Sequence, residues 1–295
     1  FFFKQKTAYD IMPSLVGSEM CIRDSPRWTK GLENPPRDLS KEDGSEPVDV
    51  LWYVSDYFSY HQRGQDAAKA LTRVFNRLGL DFGILGSQEK CDGDSQRLVG
   101  ETGLFEELAQ HNDEQFQKYE HDTLVVTDPH AFNAFKNHYP KITGNEYKLA
   151  HYTQYLRSRL GELKPLLTES YPKKLTFHDP CYLGRHNGEY LAPRELIEAI
   201  PGAEFIEMYR CREQSYCCGG GGGGMWLDGV TAYHTRERLS ENRVKEAIEI
   251  GAEVLVVCCP YEVSRFEDAV KSTDNEGKLE VLDISEILDL CMGGE

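Results

Sequence analysis

The sequence contains one pattern of residues twice, and this internal repeat is the feature that most restricts the fold. Residues 124–132, LVVTDPHAF, align with residues 255–263, LVVCCPYEV, at an offset of 131. Further matches follow the same order: residues 56 and 181 at offset 125, residues 91–93 and 217–219 at offset 126, residues 147–156 and 279–288 at offset 132. Because the offsets drift by only a few residues, at loop positions, the chain is predicted to hold two copies of one unit.

Within the first copy, apolar runs alternate with stretches of helical periodicity. Strands are predicted at residues 48–54, 82–85, 123–127 and 147–151, and helices at residues 65–78, 104–119, from 131 onward and at 152–163. This alternation is typical of βαβ units that share a parallel sheet. The predicted fold class is therefore α/β, with two tandem pseudo-repeats that each form a small parallel sheet with flanking helices.

The repeat predicts a first domain at residues 48–165 and a second at residues 173–295. Residues 26–47 are rich in Pro, Gly and charge without an apolar period, which predicts a linker. Residues 1–25 look like a translated sequencing adapter, and they lack the apolar core and cleavage pattern of a signal peptide. We therefore expect residues 1–25 to be an artefact and the natural chain to begin upstream of Pro26.

Charge and cysteine content narrow the function classes. The formal net charge is −16, which argues against a nucleic-acid or anionic-lipid surface. No apolar run approaches the roughly twenty residues that span a bilayer. After residue 25 the first half has only Cys91, whereas the second half has seven cysteines. This distribution favours a metal or redox site in a reducing compartment over a disulfide framework.

Four cysteines of the second copy lie where a predicted strand ends or a loop begins: Cys181, Cys217, Cys218 and Cys259. Parallel sheets gather their loops at the carboxyl ends of the strands, so these thiols are predicted to meet. Cys218 opens onto six consecutive glycines, residues 219–224, which allow close approach of the backbone. Gly219 is predicted to offer its N–H group to cluster sulfurs. Four thiolates suit an iron–sulfur cluster, and zinc accepts the same set.

In the first copy the matching positions are mostly carboxylates, namely Asp56, Cys91, Asp92 and Asp128. Because iron–sulfur clusters require thiolates, no cluster is expected there. Two interpretations remain for these aspartates. They hold a hard cation, or, as we favour, they are solvated or cap the following helices.

The order Cys181, Cys217-Cys218-Gly219, Cys259-Pro260 in duplicated α/β halves resembles the cysteine-rich CCG domain of heterodisulfide reductase B and D subunits and of glycolate oxidase iron–sulfur subunits. Residues 178–188, HDPCYLGRHNG, and 192–195, APRE, look most like membrane-associated reductases that take electrons from electron-transfer flavoprotein. The resemblance extends over about residues 48–288. It implies a [4Fe–4S] cluster in each intact copy, in some members a non-cubane cluster held by five cysteines, two of them from a Cys-Pro-x-Cys sequence.

This sequence departs from the family pattern at Glu262, which stands in the place of the last cysteine. The resemblance thus implies one cluster, in the second copy, with the cubane and non-cubane types both open. Its expected ligands are Cys181, Cys217, Cys218 and Cys259, with Glu262 and Cys258 as further candidates. Cys258 is predicted to be a buried strand thiol, because consecutive strand residues point to opposite faces. His178 and His186, which flank Cys181, are predicted to make structural hydrogen bonds.

The resemblance implies an iron–sulfur electron-transfer subunit or fragment of a redox complex, not catalytic as an isolated chain. The implied partners are a flavoprotein or dehydrogenase and a quinone-reducing or ferredoxin-like domain, without nucleic acid. The expected location is the cytoplasm, with membrane association on the cytoplasmic face only through a partner or an upstream region. Two alternatives stay open: a disulfide or thiol reductase of the heterodisulfide reductase type, and a structural zinc-binding protein.

Overall fold

The computed structural model of the protein describes residues 26–44, 46–221, 223–224 and 235–294. Within these residues there are two sheets, and all neighbouring strands in both are parallel. Helices flank both sheets, so the predicted α/β fold class with two tandem pseudo-repeats is confirmed.

The first sheet and its helices are built from the following elements in chain order: β1 (Arg37–Asp38), β2 (Val48–Tyr53), α1 (Asp56–Tyr60), α2 (Gln62–Arg77), β3 (Phe82–Ile84), α3 (Asp94–Leu98), α4 (Thr102–Lys118), β4 (His121–Val126), α5 (Pro129–Asn137), α6 (Tyr139–Thr143), β5 (Leu149–His151), α7 (Tyr152–Ser158) and α8 (Leu160–Leu163). The strand order is β1-β3-β2-β4-β5. The central strands β2 and β4 each end in four consecutive buried residues, because helices cover both faces of a parallel sheet.

The second sheet and its helices follow: β6 (Lys174–Phe177), α9 (Leu191–Glu198), β7 (Glu204–Phe205), α10 (Leu239–Glu249), β8 (Val254–Val257), α11 (Pro260–Ser272), β9 (Glu280–Asp283) and α12 (Ile284–Cys291). The strand order is β7-β6-β8-β9. Strand for strand, this is the order β3-β2-β4-β5 of the first sheet. The sequence repeat is therefore a repeat of topology, and β1 is an addition to the first copy.

The segment predicted as a linker, residues 26–47, is part of the first copy where the structure describes it. Strand β1 pairs with β3 at the edge of the sheet. The Trp28 ring is 2% exposed and meets the Trp52 ring edge-on, with centroids 5.7 Å apart. The buried Leu39 side chain lies against Gly83, where an added Cβ would be only 2.7 Å from Leu39 Cγ. Two isolated apolar residues and a two-residue strand leave no period in the sequence, which explains the linker prediction.

The two copies pack against each other through one apolar core and a set of buried polar contacts. The core includes residues of both copies, among them Trp52, Phe177 and Ile287. The Arg63 guanidinium of α2 binds Glu286 of α12 with an Nη2–Oε2 distance of 2.8 Å. The ion pair thus holds α2 of the first copy against α12 of the second.

Candidate metal centre

The four predicted cysteine ligands lie at the carboxyl edge of the second sheet. Strands β6 and β8 are neighbours, with Thr176 opposite Leu255, so both strands end at the same edge. Cys181 lies in the turn after β6, and Cys259 is the N-cap residue of α11 directly after β8. Cys217 and Cys218 lie in the loop between β7 and α10. The structure therefore brings together the strand ends that the sequence selected.

Backbone N–H groups of the glycine run point at the cysteine sulfurs. Gly219 N–H donates to Cys217 Sγ over 3.3 Å, and Gly220 N–H donates to Cys218 Sγ over 3.4 Å. Gly219 has a φ of 75°, in the left-handed region that favours glycine. The predicted role of Gly219 as a donor towards sulfur therefore has a geometric basis. Gly222 of the predicted run lies outside the described residues.

The side chain of Cys217 contacts those of Cys181 and Cys218. Hydrogen bonds from Cys181 and Cys218 lower the pKa of Cys217 to about 2, against the opposing effect of burial. The shared hydrogen bond with Cys217, followed by burial, raises the pKa of Cys181. The two neighbouring thiols and the Gly219 N–H therefore favour the thiolate form of Cys217. The hydrogen bond with Cys217, followed by burial, also raises the pKa of Cys218.

Cys258 and Cys259 belong to different environments although they are consecutive. Cys258 is fully buried in the main apolar core that joins the copies. Cys259 groups instead with Tyr57 and Tyr261 beside the site, where burial and then the Glu262 charge raise the pKa of its thiol. This difference matches the prediction that consecutive residues at the end of a strand face opposite sides.

A histidine and a glutamate lie next to the thiols. One ligand atom each from His178, Cys218 and Glu262 lie within 4.8 Å of one another, and all three residues are buried. His178 Nε2 is 3.3 Å from Glu262 Oε1. Burial, then the nearby Arg243 charge, lowers the pKa of His178 well below its usual value. Burial, then the Cys217 charge, raises the pKa of Glu262 well above the usual value of a glutamate.

The prediction of structural hydrogen bonds for His178 is wrong. Neither ring nitrogen has a hydrogen-bond partner among the described residues, and neither does Glu262 Oε2. The imidazole instead meets the Phe266 ring edge-on, with centroids 4.8 Å apart. The sequence named Glu262 as a further candidate ligand, but it did not indicate the contact with His178, because the two residues are 84 positions apart.

A buried charge network that the sequence did not reveal holds the cysteine loops in place. Arg194 on α9 donates to both carboxylate oxygens of Asp179, at 2.7 and 3.0 Å, and to both of Glu207, at 2.6 and 2.9 Å. Asp179 also accepts the Arg212 N–H, at 2.7 Å. Asp179 is two residues before Cys181, and Arg212 is five before Cys217. One arginine thus ties together the two loops that carry the thiols.

In the first copy, the aspartates at the matching positions serve local structure. Asp128 caps α5 by accepting the His130 N–H at 2.7 Å, and Asp92 accepts the Asp94 N–H at 2.6 Å. Burial, then the Asp128 charge, raises the pKa of Asp92 well above its usual value. Among the described residues, the second copy holds the one trio of ligand atoms within 4.8 Å of one another. For Asp128 the helix-capping interpretation is confirmed.

His130 of the first copy forms part of the wall of the second copy's site. Its ring stacks on Tyr182, the neighbour of Cys181, with centroids 4.0 Å apart. A Cβ added to Gly221 would lie only 2.4 Å from His130 Cε1, so the glycine loop passes directly over the imidazole. His130 Nδ1 lies 2.8 Å from Asp94 Oδ2. Burial opposes protonation, but the Asp94 hydrogen bond and the Asp128 charge raise the pKa of His130 to about 9.

Duplicated parallel α/β units with thiols at the carboxyl edge of one sheet define a class of cysteine-rich domain proteins. The chain belongs to the CCG cysteine-rich domain family, whose model matches residues 51–136 and 175–261.

Three curated relatives illustrate the family. The chain is 38% identical over 262 residues to the probable iron-sulfur-binding oxidoreductase FadF of Bacillus subtilis, covering 86% of this chain and 36% of that protein. It is 36% identical over 257 residues to the EtfAB:quinone oxidoreductase of Syntrophomonas wolfei, covering 85% and 35%. It is 34% identical over 268 residues to the D subunit of the dihydromethanophenazine:CoB–CoM heterodisulfide reductase of Methanosarcina barkeri, covering 88% and 62%. The chain thus spans just over a third of the first two relatives.

The residues present fit an iron–sulfur centre. The donor set consists of soft thiols, two of which already accept backbone N–H hydrogen bonds, as cluster thiolates do. The unpartnered nitrogens of His178 and oxygen of Glu262 leave buried polar atoms that a bound group would satisfy. Of the helices in the described part of the chain, none is long and apolar enough to cross a bilayer.

Proposed function

We propose that the second copy binds one [4Fe–4S] cluster through Cys181, Cys217, Cys218 and Cys259, and that the chain carries electrons within a redox complex. The observation that carries this proposal is the contact of Cys181 and Cys218 with Cys217 beside the Gly219 and Gly220 N–H groups. A cluster bound there supplies one-electron storage. The first copy binds none in this proposal, because carboxylates replace its thiols.

The chain's own residues would tune such a centre in two ways. N–H groups that donate to thiolates withdraw charge from the sulfurs, which favours the reduced state. The Arg265 side chain donates to the Cys218 carbonyl at 3.3 Å, so a cation lies beside the thiols. Both effects stabilise added negative charge, which is what an electron carrier needs on reduction.

The partners we propose are a flavoprotein or dehydrogenase as donor and a quinone-reducing or ferredoxin-like domain as acceptor. Support comes from the relatives, one of which is named an EtfAB:quinone oxidoreductase. We place the protein in the cytoplasm, with any membrane association through a partner or a further part of the complex. The chain alone is proposed to transfer electrons without catalysing a reaction.

Anaerobic reconstitution with iron and sulfide tests the proposed cluster. The wild-type chain should bind about four iron and four sulfide ions, and the double variant Cys217→Ser plus Cys218→Ser should lose most of both. Cys291→Ser is the matched control, because Cys291 is a buried cysteine of the same copy in the apolar core. A wild-type protein that stays colourless and contains zinc would instead favour a structural zinc site.

A further inference from the structure

Beside the four thiols lie two buried side chains, His178 and Glu262. Together they have three polar atoms that the thiols do not account for. His178 is 0% exposed, Glu262 is 1% exposed and Cys218 is 5% exposed. Among the described residues, both ring nitrogens of His178 and Oε2 of Glu262 are without a hydrogen-bond partner. A buried polar group left in this way costs on the order of 1–3 kcal/mol. A site that holds several of them together needs a bound partner to account for them.

A hydrogen bond between the two side chains does not remove the problem. His178 Nε2 and Glu262 Oε1 are 3.3 Å apart. Even if these two atoms share a proton, His178 Nδ1 and Glu262 Oε2 remain unmatched. Phe266 closes one side of the imidazole with an aromatic edge, which offers no acceptor.

The distances fit shared coordination of one metal ion. The candidate ligand atoms of His178, Cys218 and Glu262 lie within 4.8 Å of one another. Ligands at about 2.0–2.3 Å from one ion lie at most about 4.5 Å apart, so small rotations of the side chains suffice. Imidazole nitrogen, thiolate sulfur and carboxylate oxygen are all ligands of iron.

The elements that carry the three residues hold them in this arrangement. His178 is the first residue after β6, where its N–H donates to the carbonyl of Val256 in β8 at 3.0 Å. Glu262 lies in the first turn of α11, with its N–H donating to the Cys259 carbonyl at 3.0 Å. Both positions belong to the carboxyl edge that also carries Cys181 and Cys259, so the pair faces the thiols from the sheet.

We propose that His178 and Glu262 coordinate the iron that Cys218 binds, which gives the centre one nitrogen and one oxygen ligand in addition to its thiolates. The inference rests on the cluster proposed above. Its consequence is that one iron differs from the others in ligation. Glu262 is then a ligand in its own right, and its position does not simply mark a missing cysteine.

Histidine labelled with ¹⁵N in the imidazole ring tests the nitrogen ligand in the full chain. The anaerobically reconstituted and reduced protein is examined by pulsed electron paramagnetic resonance, and iron and sulfide are measured on the same sample. We expect a nitrogen coupling that changes with the ring label and is lost in His178→Phe. The matched control is His186→Phe, whose histidine flanks Cys181 on the other side and stacks on Tyr182, and which should retain the coupling.

The oxygen ligand is tested by Mössbauer spectroscopy of ⁵⁷Fe. We expect one distinct iron in wild type, and in Glu262→Cys a changed isomer shift and quadrupole splitting of that iron, because a thiolate replaces the carboxylate. Full iron and sulfide without a ring-nitrogen coupling or a distinct iron in wild type would overturn this inference and leave the four-thiolate proposal intact. Absence of iron and sulfide from wild type would overturn both, and the wild-type measurements decide even if a variant fails to fold.

Discussion

The ends of β4 and β8 are the same place in the two copies, and they carry different chemistry. After β4, Asp128 caps α5 and accepts the His130 N–H at 2.7 Å. After β8, Cys259 takes the cap position of α11, followed in both copies by a proline in the first turn. A thiol is a much weaker acceptor than a carboxylate. The fold therefore tolerates either residue, and the cysteine is better explained by binding than by helix formation.

The two copies also differ in how their buried charges are balanced. In the first copy the Asp94 carboxylate lies 2.7 Å from the Arg97 guanidinium and 2.8 Å from His130, so protein cations balance it. In the second copy, buried atoms of His178 and Glu262 lie beside the thiols without a hydrogen-bond partner among the described residues. The Asp94 charge is thus balanced by neighbouring cations of its own copy, whereas His178 and Glu262 have no such cation in contact with them among the described residues. His130 connects the two copies, since it belongs to one copy and touches the glycine loop of the other.

The largest expected effect comes from the same substitution at the two equivalent caps. Cys259→Ser should reduce bound iron to a small fraction of the wild-type value, because the thiolate ligand is lost. Asp128→Ser should leave bound iron unchanged, because a serine hydroxyl still caps α5. Iron and acid-labile sulfide per chain after anaerobic reconstitution measure both. Equal iron loss in the two variants would break the distinction between the copies.

Loss of the arginine between the cysteine loops should be the next largest effect. Arg194→Met leaves Asp179 and Glu207 without their shared cation, and removing one partner of a buried ion pair typically costs about 3–5 kcal/mol. Urea unfolding of the reduced metal-free protein measures this. The control is Arg157→Ala, which removes a largely exposed pair with Glu195 and should cost less than about 1 kcal/mol.

In the first copy, the end of β2, which matches β6 of the second copy, is held by a carboxylate that accepts backbone N–H groups. Glu89 accepts the N–H groups of Val54 and Ser55 at 3.1 and 2.8 Å. If Arg194→Met lowers the free energy of unfolding but the urea transition stays single and cooperative, the two copies unfold together. A separate early transition would show that the second copy unfolds alone.

His130 should give the first copy a pH dependence of stability. Its pKa of about 9 lies above the ordinary 6.5, so the stabilisation is complete below about pH 6.5 and is lost as pH rises through 9. A shift of that size corresponds to roughly 3 kcal/mol. The groups that face it are Asp56, Asp92, Asp94, Asp128, Arg97, Tyr182 and Tyr261.

Urea unfolding of wild type and His130→Gln between pH 6 and pH 10 measures this effect on the metal-free protein. The difference in the free energy of unfolding should be greatest near pH 6 and shrink towards pH 10. A difference that does not change with pH would mean that the imidazole contributes by packing alone.

The smallest effect is expected where the copies touch. Gly221→Ala places a Cβ 2.4 Å from His130 Cε1, and such overpacking typically costs about 1–3 kcal/mol. The cost should fall to near zero in a His130→Ala background, so a double-mutant cycle isolates the contact. Gly161→Ala, which meets no atom within 4 Å, is the control and should not destabilise. Additive effects of the two substitutions would contradict the contact.

Much of the architecture followed from the sequence, because its signals are local or periodic. The predicted strand at residues 48–54 is observed as Val48–Tyr53, and the predicted helix at 65–78 as Gln62–Arg77. Strand ends that carry Cys181 and Cys259 were placed at one edge by the rule for parallel sheets alone. Membership of the cysteine-rich family rested on the same short motifs.

The sequence by itself therefore determined the duplicated α/β class and which copy has the thiols. Only the tertiary structure decided which distant side chains meet one another around the thiols: Glu262 against His178, Arg194 between two loops, and His130 of one copy under the glycine loop of the other. These contacts join residues far apart in the chain, so the hydrophobic periodicity of the sequence does not predict them. Their partners are selected by packing and by the balance of buried charge, which exist only once the chain has folded.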